Sequence, residues 1–352
     1  MSACERRRSW ATMTVPRPAR AACAAGQAKG RLIVAADMPA SQLADDLWLL
    51  DTLFQGEPGV IASYLLAGPH GLALVDVGSG ATVENLLTAV RASGHEPAAI
   101  EHLLITHVHL DHAGAAGALV RRLPQARVYV HRIGAPHLLN PEKLVSSAQR
   151  IYGQRMRELW GAIEPVPAER LVVLEDGDDV RVGARRLRAL YTPGHAVHHV
   201  ALHDEEARVI FAGDVAGVRL QGNDFVRPPT PPPDLDLEAW TASLDRLATL
   251  DARALYLPHF GPAGDVARHL ADLRSRLFEW GDLMLAGMRA GRSDVELAGI
   301  LAEHADGAVL ASTGGEDGET LERYELASNY LMSAQGYQRY YRKHHPELLA
   351  SA

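Results

Sequence analysis

One run of seven residues, Thr-His-Val-His-Leu-Asp-His at positions 106–112, constrains this chain more than any other feature of its sequence. It directly follows an apolar stretch, residues 100–106, with the character of a strand. Burying three imidazoles and a carboxylate so close together is costly unless something binds them. His107 and His109 lie two residues apart and can point the same way, while Asp111 and His112 turn towards a second position. The pattern predicts a metal site at a strand end.

Three shorter motifs add ligand-type residues, each directly after a predicted strand. His195 ends Thr-Pro-Gly-His after residues 186–191, Asp214 ends Phe-Ala-Gly-Asp after 208–212, and His259 follows residues 254–257. Each motif alone is weak, but their order and their placement after strands make the combination specific. We expect the four strand ends to meet along one edge of a sheet. Imidazole and carboxylate ligands without thiolate favour Zn, Mn or Fe, and both cysteines, Cys4 and Cys23, lie far upstream.

The remaining pattern predicts an α/β fold in three segments. Residues 1–43 are rich in Ala, Arg and Pro without sustained periodicity, so they are interpreted as a disordered or transit-like segment. Residues 44–264 alternate short apolar strands with helices and form the predicted catalytic domain. Residues 265–352 form a C-terminal helical region, with amphipathic helices predicted over 265–290, 293–304 and 321–341.

The ordered series of motifs resembles the metallo-β-lactamase superfamily, in particular its glyoxalase II-like hydrolases, over about residues 45–262. The resemblance implies an αββα sandwich that holds two metal ions. It assigns His107, His109 and His195 to the first ion, and Asp111, His112 and His259 to the second, with Asp214 bridging and Asp76 orienting a ligand. The sequence departs from the family at His198, where the run that begins with Thr192 usually has glycine.

The implied activity is hydrolysis by a hydroxide that bridges two divalent cations, zinc first, with iron or manganese as alternatives. Asp111 or Asp214 would relay a proton. The leading hypothesis is a carboxylic thioester or lactone as the substrate. One alternative is a mononuclear iron persulfide dioxygenase that fills only the first site, and a further one is a phosphodiesterase. No G-x-S-x-G motif is present, in keeping with a mechanism that needs no protein nucleophile.

Two segments are predicted to flank the metal site and line a pocket for a small-molecule substrate. They are residues 146–152, where the phenol of Tyr152 could contact a substrate oxygen, and the proline-rich residues 226–234. A basic, tyrosine-rich stretch over residues 337–343 could reach an anionic substrate. We interpret it instead as an ordinary helix end, where basic residues oppose the helix dipole.

Charge and hydropathy argue against two kinds of partner. The net charge of −8 divides into +6 over residues 1–31 and −14 over the rest, and so acidic a body is unsuited to a phosphate backbone. No apolar stretch approaches the roughly 18 residues of a membrane span. We therefore expect neither nucleic acid nor membrane as a partner, and a cytoplasmic location, with organellar import as the alternative because the N-terminus is Arg-rich. The sequence leaves the oligomeric state open.

Overall fold

The computed structural model describes residues 39–68, 71–312 and 318–350, and its strands form two sheets. The first sheet holds, in spatial as in chain order, β1 (Ala40–Ala44), β2 (Leu47–Asp51), β3 (Ala62–Gly68), β4 (Gly71–Val75), β5 (Ile100–Leu104), β6 (Arg127–His131) and β7 (Leu171–Leu174). The second holds β8 (Asp179–Val182), β9 (Arg185–Tyr191), β10 (Val200–Asp204), β11 (Val209–Phe211), β12 (Ala254–Leu257) and β13 (Gly261–Ala263), in the spatial order β13-β12-β11-β10-β9-β8. Neighbouring strands are antiparallel except β4 to β7 and the pair β11 and β12, which are parallel.

Helices cover the outer face of each sheet. Those that follow the first-sheet strands are α1 (Val83–Ala92), α2 (Leu110–Ala113), α3 (Ala116–Arg122), α4 (Ala135–Leu139), α5 (Glu142–Tyr152) and α6 (Met156–Trp160). The later ones are α7 (Leu237–Ala248), α8 (Val266–Arg289), α9 (Asp294–Ser312), α10 (Gly318–Ala327), α11 (Tyr330–His344) and α12 (Pro346–Ala350). Among the residues of these ranges, no helix combines the length and apolarity needed to cross a membrane.

Alternating side chains explain why both faces of each sheet are buried. In β4, Leu74 points to the helices outside and Val75 points to the space between the sheets. In β11, Ile210 points outside and Phe211 packs between the sheets against Tyr64 of β3. Three apolar layers therefore separate four layers of structure, helix, sheet, sheet and helix. This is the predicted αββα sandwich.

The C-terminal helices share one apolar core with the second sheet. Leu255 and Leu257 of β12 lie in the same buried cluster as Trp280 of α8 and Tyr337 of α11. The Tyr337 hydroxyl donates to the carbonyl of Leu277, 2.6 Å away, so the two helices are also joined by a polar contact. The described residues accordingly form a single unit, and the predicted boundary at residue 264 lies between elements that share this core.

The elements differ from the sequence predictions in three places. β1 occupies residues 40–44 and so overlaps the end of the predicted segment 1–43, of which residues 1–38 lie outside the described residues. The predicted helix 321–341 is two helices, because the Asn329 side chain accepts a hydrogen bond from the Met332 N–H and caps α11. The predicted helix 293–304 extends to Ser312.

Candidate metal centre

Five strand ends bring the predicted site residues together, and they come from both sheets. Asp76 follows β4, and the 106–112 segment follows β5, in the first sheet. His195 follows β9, Asp214 follows β11 and His259 follows β12, all in the second sheet. The expected meeting along one edge of a single sheet is therefore wrong. The site lies where the corresponding ends of the two packed sheets meet, which gives it donors from two sides.

Three imidazoles form the first group of possible ligands. His109 Nδ1 lies 3.0 Å from His107 Nε2 and 2.9 Å from His195 Nε2. His107 and His195 are buried, whereas His109 is partly exposed. Burial lowers the pKa of His195 to about 4 and holds the pKa of His107 well below its usual range. At neutral pH these rings are uncharged, the form in which imidazole binds a metal.

The second group contains two imidazoles and a carboxylate. Asp111 Oδ2 lies 3.5 Å from His112 Nε2 and 3.4 Å from His259 Nε2. Burial opposes protonation of both rings, but the carboxylates of Asp111 and Asp214 outweigh it and raise the pKa of His112 and of His259. The carboxylates thus favour a positive charge, whether a proton or a bound cation, in the space that they share with the two imidazoles.

Asp214 lies between the two groups and turns one oxygen towards each. Its Oδ1 is 3.4 Å from His112 Nε2 and 3.6 Å from His259 Nε2, and its Oδ2 is 3.5 Å from His195 Nε2. Burial would raise the pKa of this carboxyl, but His112 and His259 lower it well below its usual range. An ionised carboxylate in this position is suited to bridging two cations.

Hydrogen bonds on the far side of four imidazoles determine which ring nitrogen faces the centre. The Nδ1 atoms contact Thr106 Oγ1 (from His107, 3.1 Å), Asp76 Oδ2 (from His112, 2.9 Å), Pro229 O (from His195, 2.8 Å) and Val60 O (from His259, 2.7 Å). A carbonyl or carboxylate oxygen can only accept, so Nδ1 of His112, His195 and His259 carries a proton, and in the uncharged ring Nε2 is left with a lone pair. His109 is the exception, since it presents Nδ1.

Asp76 lies behind the centre, as the resemblance implies. Its carboxylate accepts hydrogen bonds from the Thr106 N–H at 2.8 Å, the Thr106 hydroxyl and His112 Nδ1. Because the Thr106 hydroxyl also contacts His107 Nδ1, this one carboxylate orients a ring in each group. Asp76 has a positive φ of 53°, a conformation that Asp tolerates better than most residues.

His198 and His199 are buried beside the centre and support its loops. His199 Nε2 accepts from the Val215 N–H at 3.3 Å, and its Nδ1 lies 2.9 Å from Thr192 Oγ1, so the ring ties the loop after β9 to the loop after β11. His198 Nδ1 accepts from the Val108 N–H, between the ligand candidates His107 and His109. These supports, like the carbonyls of Val60 and Pro229, were not found by sequence reasoning, which assigned the two histidines to packing or solvent exposure.

The structure gives other partners to the predicted substrate contacts. The Tyr152 hydroxyl lies 3.3 Å from Met332 Sδ and its ring packs against Trp160. Burial raises the pKa of this phenol, and the charge of Asp111 adds to the shift. In the 337–343 stretch, the Tyr340 hydroxyl donates to Glu238, and Arg339 Nε donates to a carbonyl of the 226–234 loop. The contact of Tyr152 with a substrate stays a prediction.

The residues present fit a divalent metal. His112 Nε2, His259 Nε2 and Asp214 Oδ1 are buried and have no hydrogen-bond partner, although each faces the centre. Buried polar atoms without partners are rare and costly. A cation among them removes that cost, and nitrogen and carboxylate oxygen donors without sulfur suit zinc, manganese or iron.

Comparison with known proteins identifies the family. Residues 56–259 match the family model described as the metallo-beta-lactamase superfamily. The match spans more than half of the chain, and this protein belongs to the metallo-β-lactamase superfamily. The fold, the possible metal-binding groups and the order of the site residues agree with that membership.

Individual relatives are distant. ST1585 of Sulfurisphaera tokodaii, a metallo-beta-lactamase fold-containing protein, is 25% identical over 207 residues, 58% of this chain and 74% of its own. The acyl-coenzyme A thioesterase MBLAC2 of Gallus gallus is 32% identical over 165 residues, 43% of this chain and 56% of its own. The atrochrysone carboxyl ACP thioesterase of Aspergillus fumigatus is 28% identical, over 58% of this chain and 53% of its own. The chain thus spans little more than half the length of these two thioesterases.

A solved structure extends the similarity beyond the sandwich. The metallo-beta-lactamase family protein TTHA1429 from Thermus thermophilus superposes with a TM-score of 0.62 at 26% identity, covering 86% of this chain and 95% of its own. That coverage is larger than the share of the chain that precedes residue 265, so the structural similarity includes part of the C-terminal helical region.

Proposed function

We propose that this protein is a dinuclear metal-dependent hydrolase of carboxylic thioesters, with lactones as the second substrate class. The observation that carries the proposal is the set of buried, unpartnered donor atoms on His112, His259 and Asp214 beside a complete three-imidazole group. A single ion among His107, His109 and His195 would leave the second group of donors unused. Two ions use all seven side chains.

Two cations bound there would polarise the substrate carbonyl and make water a nucleophile at neutral pH. Proton transfer falls to Asp111 rather than Asp214, because the Asp111 side chain is 17% exposed and the Asp214 side chain only 5%. Asp111 is therefore the carboxylate that an incoming water reaches more easily, while Asp214 lies between the two groups of donors. His109, also partly exposed, marks the same open side.

The surroundings of this open side support a substrate with an apolar acyl part. Leu110, between His109 and Asp111, belongs to an apolar cluster with Phe54 and Trp160, against which Leu326 of α10 packs. The relatives named as thioesterases act on acyl groups carried by coenzyme A or by an acyl carrier protein. We propose the same bond here. The narrower glyoxalase II-like assignment is part of this proposal and rests on the sequence resemblance.

The proposed partner is a small molecule, since residues 32–352 carry a net charge of −14. Neither nucleic acid nor a membrane is proposed as a partner, and the cytoplasmic location stays a prediction. The iron-dependent dioxygenase hypothesis is less favoured because it needs only the first group of ligands.

The test combines metal content with turnover. Protein purified without added metal is measured by elemental analysis, reconstituted with zinc or manganese, and assayed on acyl-coenzyme A thioesters, acyl-glutathione thioesters and lactones. We expect about two ions per chain and thioester hydrolysis. His109→Ala abolishes hydrolysis with little effect on folding, because His109 is partly exposed, while His304→Ala, an exposed histidine in an ion pair on α9, keeps full activity.

Three outcomes would contradict the proposal. A single iron per chain together with oxygen uptake on persulfides would replace it with the dioxygenase. Absence of bound metal after reconstitution would remove it altogether. Thioester hydrolysis that persists in metal-depleted His109→Ala protein would show that the chemistry takes place elsewhere.

A further inference from the structure

One ligand of the first group is oriented by a backbone carbonyl on a loop, and that loop is held by the C-terminal helices. His195 Nδ1 donates to the Pro229 carbonyl at 2.8 Å. Pro229 belongs to the proline loop, residues 226–234. This loop begins beside an isolated antiparallel β-bridge between Val218 and Arg227 and leads to α7. A carbonyl can orient His195 only if the loop that carries it is fixed.

Arg227 fixes one end of the proline loop. Its backbone exchanges two hydrogen bonds with Val218, and its guanidinium is fully buried. Nη1 donates to Glu325 Oε1 and to the Ser328 carbonyl, both at 2.8 Å, and Nη2 donates to the Tyr330 hydroxyl at 2.7 Å. The guanidinium also lies 4.1 Å from the centroid of the Tyr330 ring. Arg227 therefore fastens the loop to the junction of α10 and α11.

The other side of Pro229 is fixed by direct contact with α11. Thr230 is fully buried, and its hydroxyl donates to the Ser333 carbonyl at 3.3 Å. Gly336 of α11 lies so close that a Cβ there would stand 1.8 Å from the Thr230 carbonyl oxygen. The helix backbone thus packs directly against the loop, and only glycine allows this approach. Pro229 lies between two anchored residues, 227 and 230.

We infer that the C-terminal helices position the metal ligand His195 through the proline loop, with Gly336 and Arg227 as positioning residues. The effect is confined to the first group of ligands. In the second group, His259 is oriented by the Val60 carbonyl and His112 by the Asp76 carboxylate, and neither acceptor belongs to the proline loop. The inference rests on the proposed metal binding but not on any particular substrate.

The test measures zinc affinity at each site by competition with a chromophoric chelator. Gly336→Ala is compared with Gly299→Ala, a matched helix glycine where an added Cβ meets nothing within 4 Å. Loss of a group that orients a metal-binding histidine weakens binding by roughly 10- to 100-fold. We expect that loss at one of the two sites in Gly336→Ala, with unchanged affinity at the other, and unchanged affinities at both sites in Gly299→Ala.

Two single-site backgrounds identify which site responds. In His259→Ala, where only the first group is complete, adding Gly336→Ala lowers the remaining affinity by the same roughly 10- to 100-fold factor. In His195→Ala, where the orienting contact no longer exists, adding Gly336→Ala changes the affinity of the second site less than about twofold. A merely structural role would weaken zinc binding equally in both backgrounds.

The inference is overturned if folded Gly336→Ala binds zinc like the wild type, or if both sites weaken together. If Gly336→Ala does not fold, Tyr330→Phe replaces it, since this change removes only the hydroxyl that accepts from Arg227 and donates to Asp306. Its control is Tyr340→Phe on the same helix, α11, which removes only the hydroxyl that donates to Glu238 of α7. A wild-type chain that binds no zinc would overturn the proposed function and this inference together, whereas intact zinc binding that ignores Gly336→Ala would overturn only the inference.

Discussion

Asp76 shows how much of the centre depends on a residue that is not assigned to bind metal. Its carboxylate serves three buried donors, two on Thr106 and one on His112. Asparagine has the same shape and tolerates the same left-handed backbone, but it offers one acceptor oxygen and turns an NH₂ group towards donors. A buried donor left without an acceptor costs about 1–3 kcal/mol.

We therefore expect Asp76→Asn to lower the free energy of unfolding of the metal-free protein by about 2 kcal/mol. The measurement is urea denaturation in the presence of a chelator, followed by circular dichroism. Asp179→Asn on β8, a partly exposed carboxyl that pairs with Arg186, is the control and changes stability by less than about 0.5 kcal/mol. Equal stability of both variants would show that the Asp76 carboxylate does not anchor the loop.

The sequence predicts side chains of the centre far better than it predicts their supports. His107 and His109 are recognisable from spacing, because imidazoles concentrated at a strand end are costly to bury unless they bind something. The supporting role of the Val60 and Pro229 carbonyls cannot be predicted from the residue type, since every residue has a backbone carbonyl. His199 could have been found by its place four residues after His195. The sequence alone, however, does not distinguish a buried histidine that binds metal from one that joins two loops by hydrogen bonds.

At the scale of elements, an ion-pair group centred on Arg185 joins the two sheets. Arg185 on β9 donates through Nε to Asp46 Oδ2 at 2.8 Å, in the turn between β1 and β2, and through Nη1 to Asp204 on β10. The Asp204 side chain is only 2% exposed. Removing the guanidinium leaves this carboxyl buried without its cation, which is far more costly than losing a surface pair.

Arg185→Ala should accordingly lower the free energy of unfolding by about 3 kcal/mol at neutral pH. The Arg185 guanidinium lowers the pKa of Asp46, mainly by hydrogen bonding. A carboxyl whose folded pKa is depressed adds stability above its unfolded pKa, about 4, and loses it as pH falls through the folded value. Urea titrations should therefore show that the difference in free energy of unfolding between wild type and Arg185→Ala becomes smaller below about pH 4. The control is Arg188→Ala, at an exposed neighbour on the same strand. The prediction is contradicted if Arg185→Ala loses no more free energy of unfolding than Arg188→Ala does.

Element boundaries were predictable where burial alternates and uncertain where a single cap decides. The sequence also predicts a strand over residues 127–131, where apolar and polar residues alternate between clear turns, and β6 occupies these same residues. The break between α10 and α11 was missed, because amphipathic spacing continues through residues 328 and 329 and only the Asn329 side chain marks the new start. β1 was missed because its residues, Ala-Ser-Gln-Leu-Ala, lack the β-branched and aromatic side chains typical of strands.

At the scale of the molecule, the catalytic sandwich and the C-terminal helices depend on one core. The change after residue 264 is a change of secondary structure, from strands to helices, and the sequence displays it. It is not an end of the apolar core, which continues across it. Ile210 and Leu255 of the second sheet are covered by the same cluster that contains Leu273 and Trp280 of α8. A boundary in the pattern of elements therefore need not be a boundary of folding.

We expect a chain ending at residue 264 to be insoluble, because it exposes the outer face of the second sheet. The measurement is the soluble yield and the circular dichroism spectrum after expression of residues 1–264. A chain that ends at residue 345, and so lacks only α12, should remain soluble with an unchanged spectrum. A soluble, folded chain of 264 residues would instead establish the predicted domain boundary.

The donors of the metal centre are spread from residue 107 to residue 259, on loops that belong to different sheets. During synthesis, the 106–112 segment leaves the ribosome long before His259 exists, and alone it offers a cation only a fraction of the final ligands. Neither site is complete until both sheets have docked. A cation that binds there would thus enter a nearly finished protein, so the metal supply of the compartment where folding ends would help to decide which cation the protein carries.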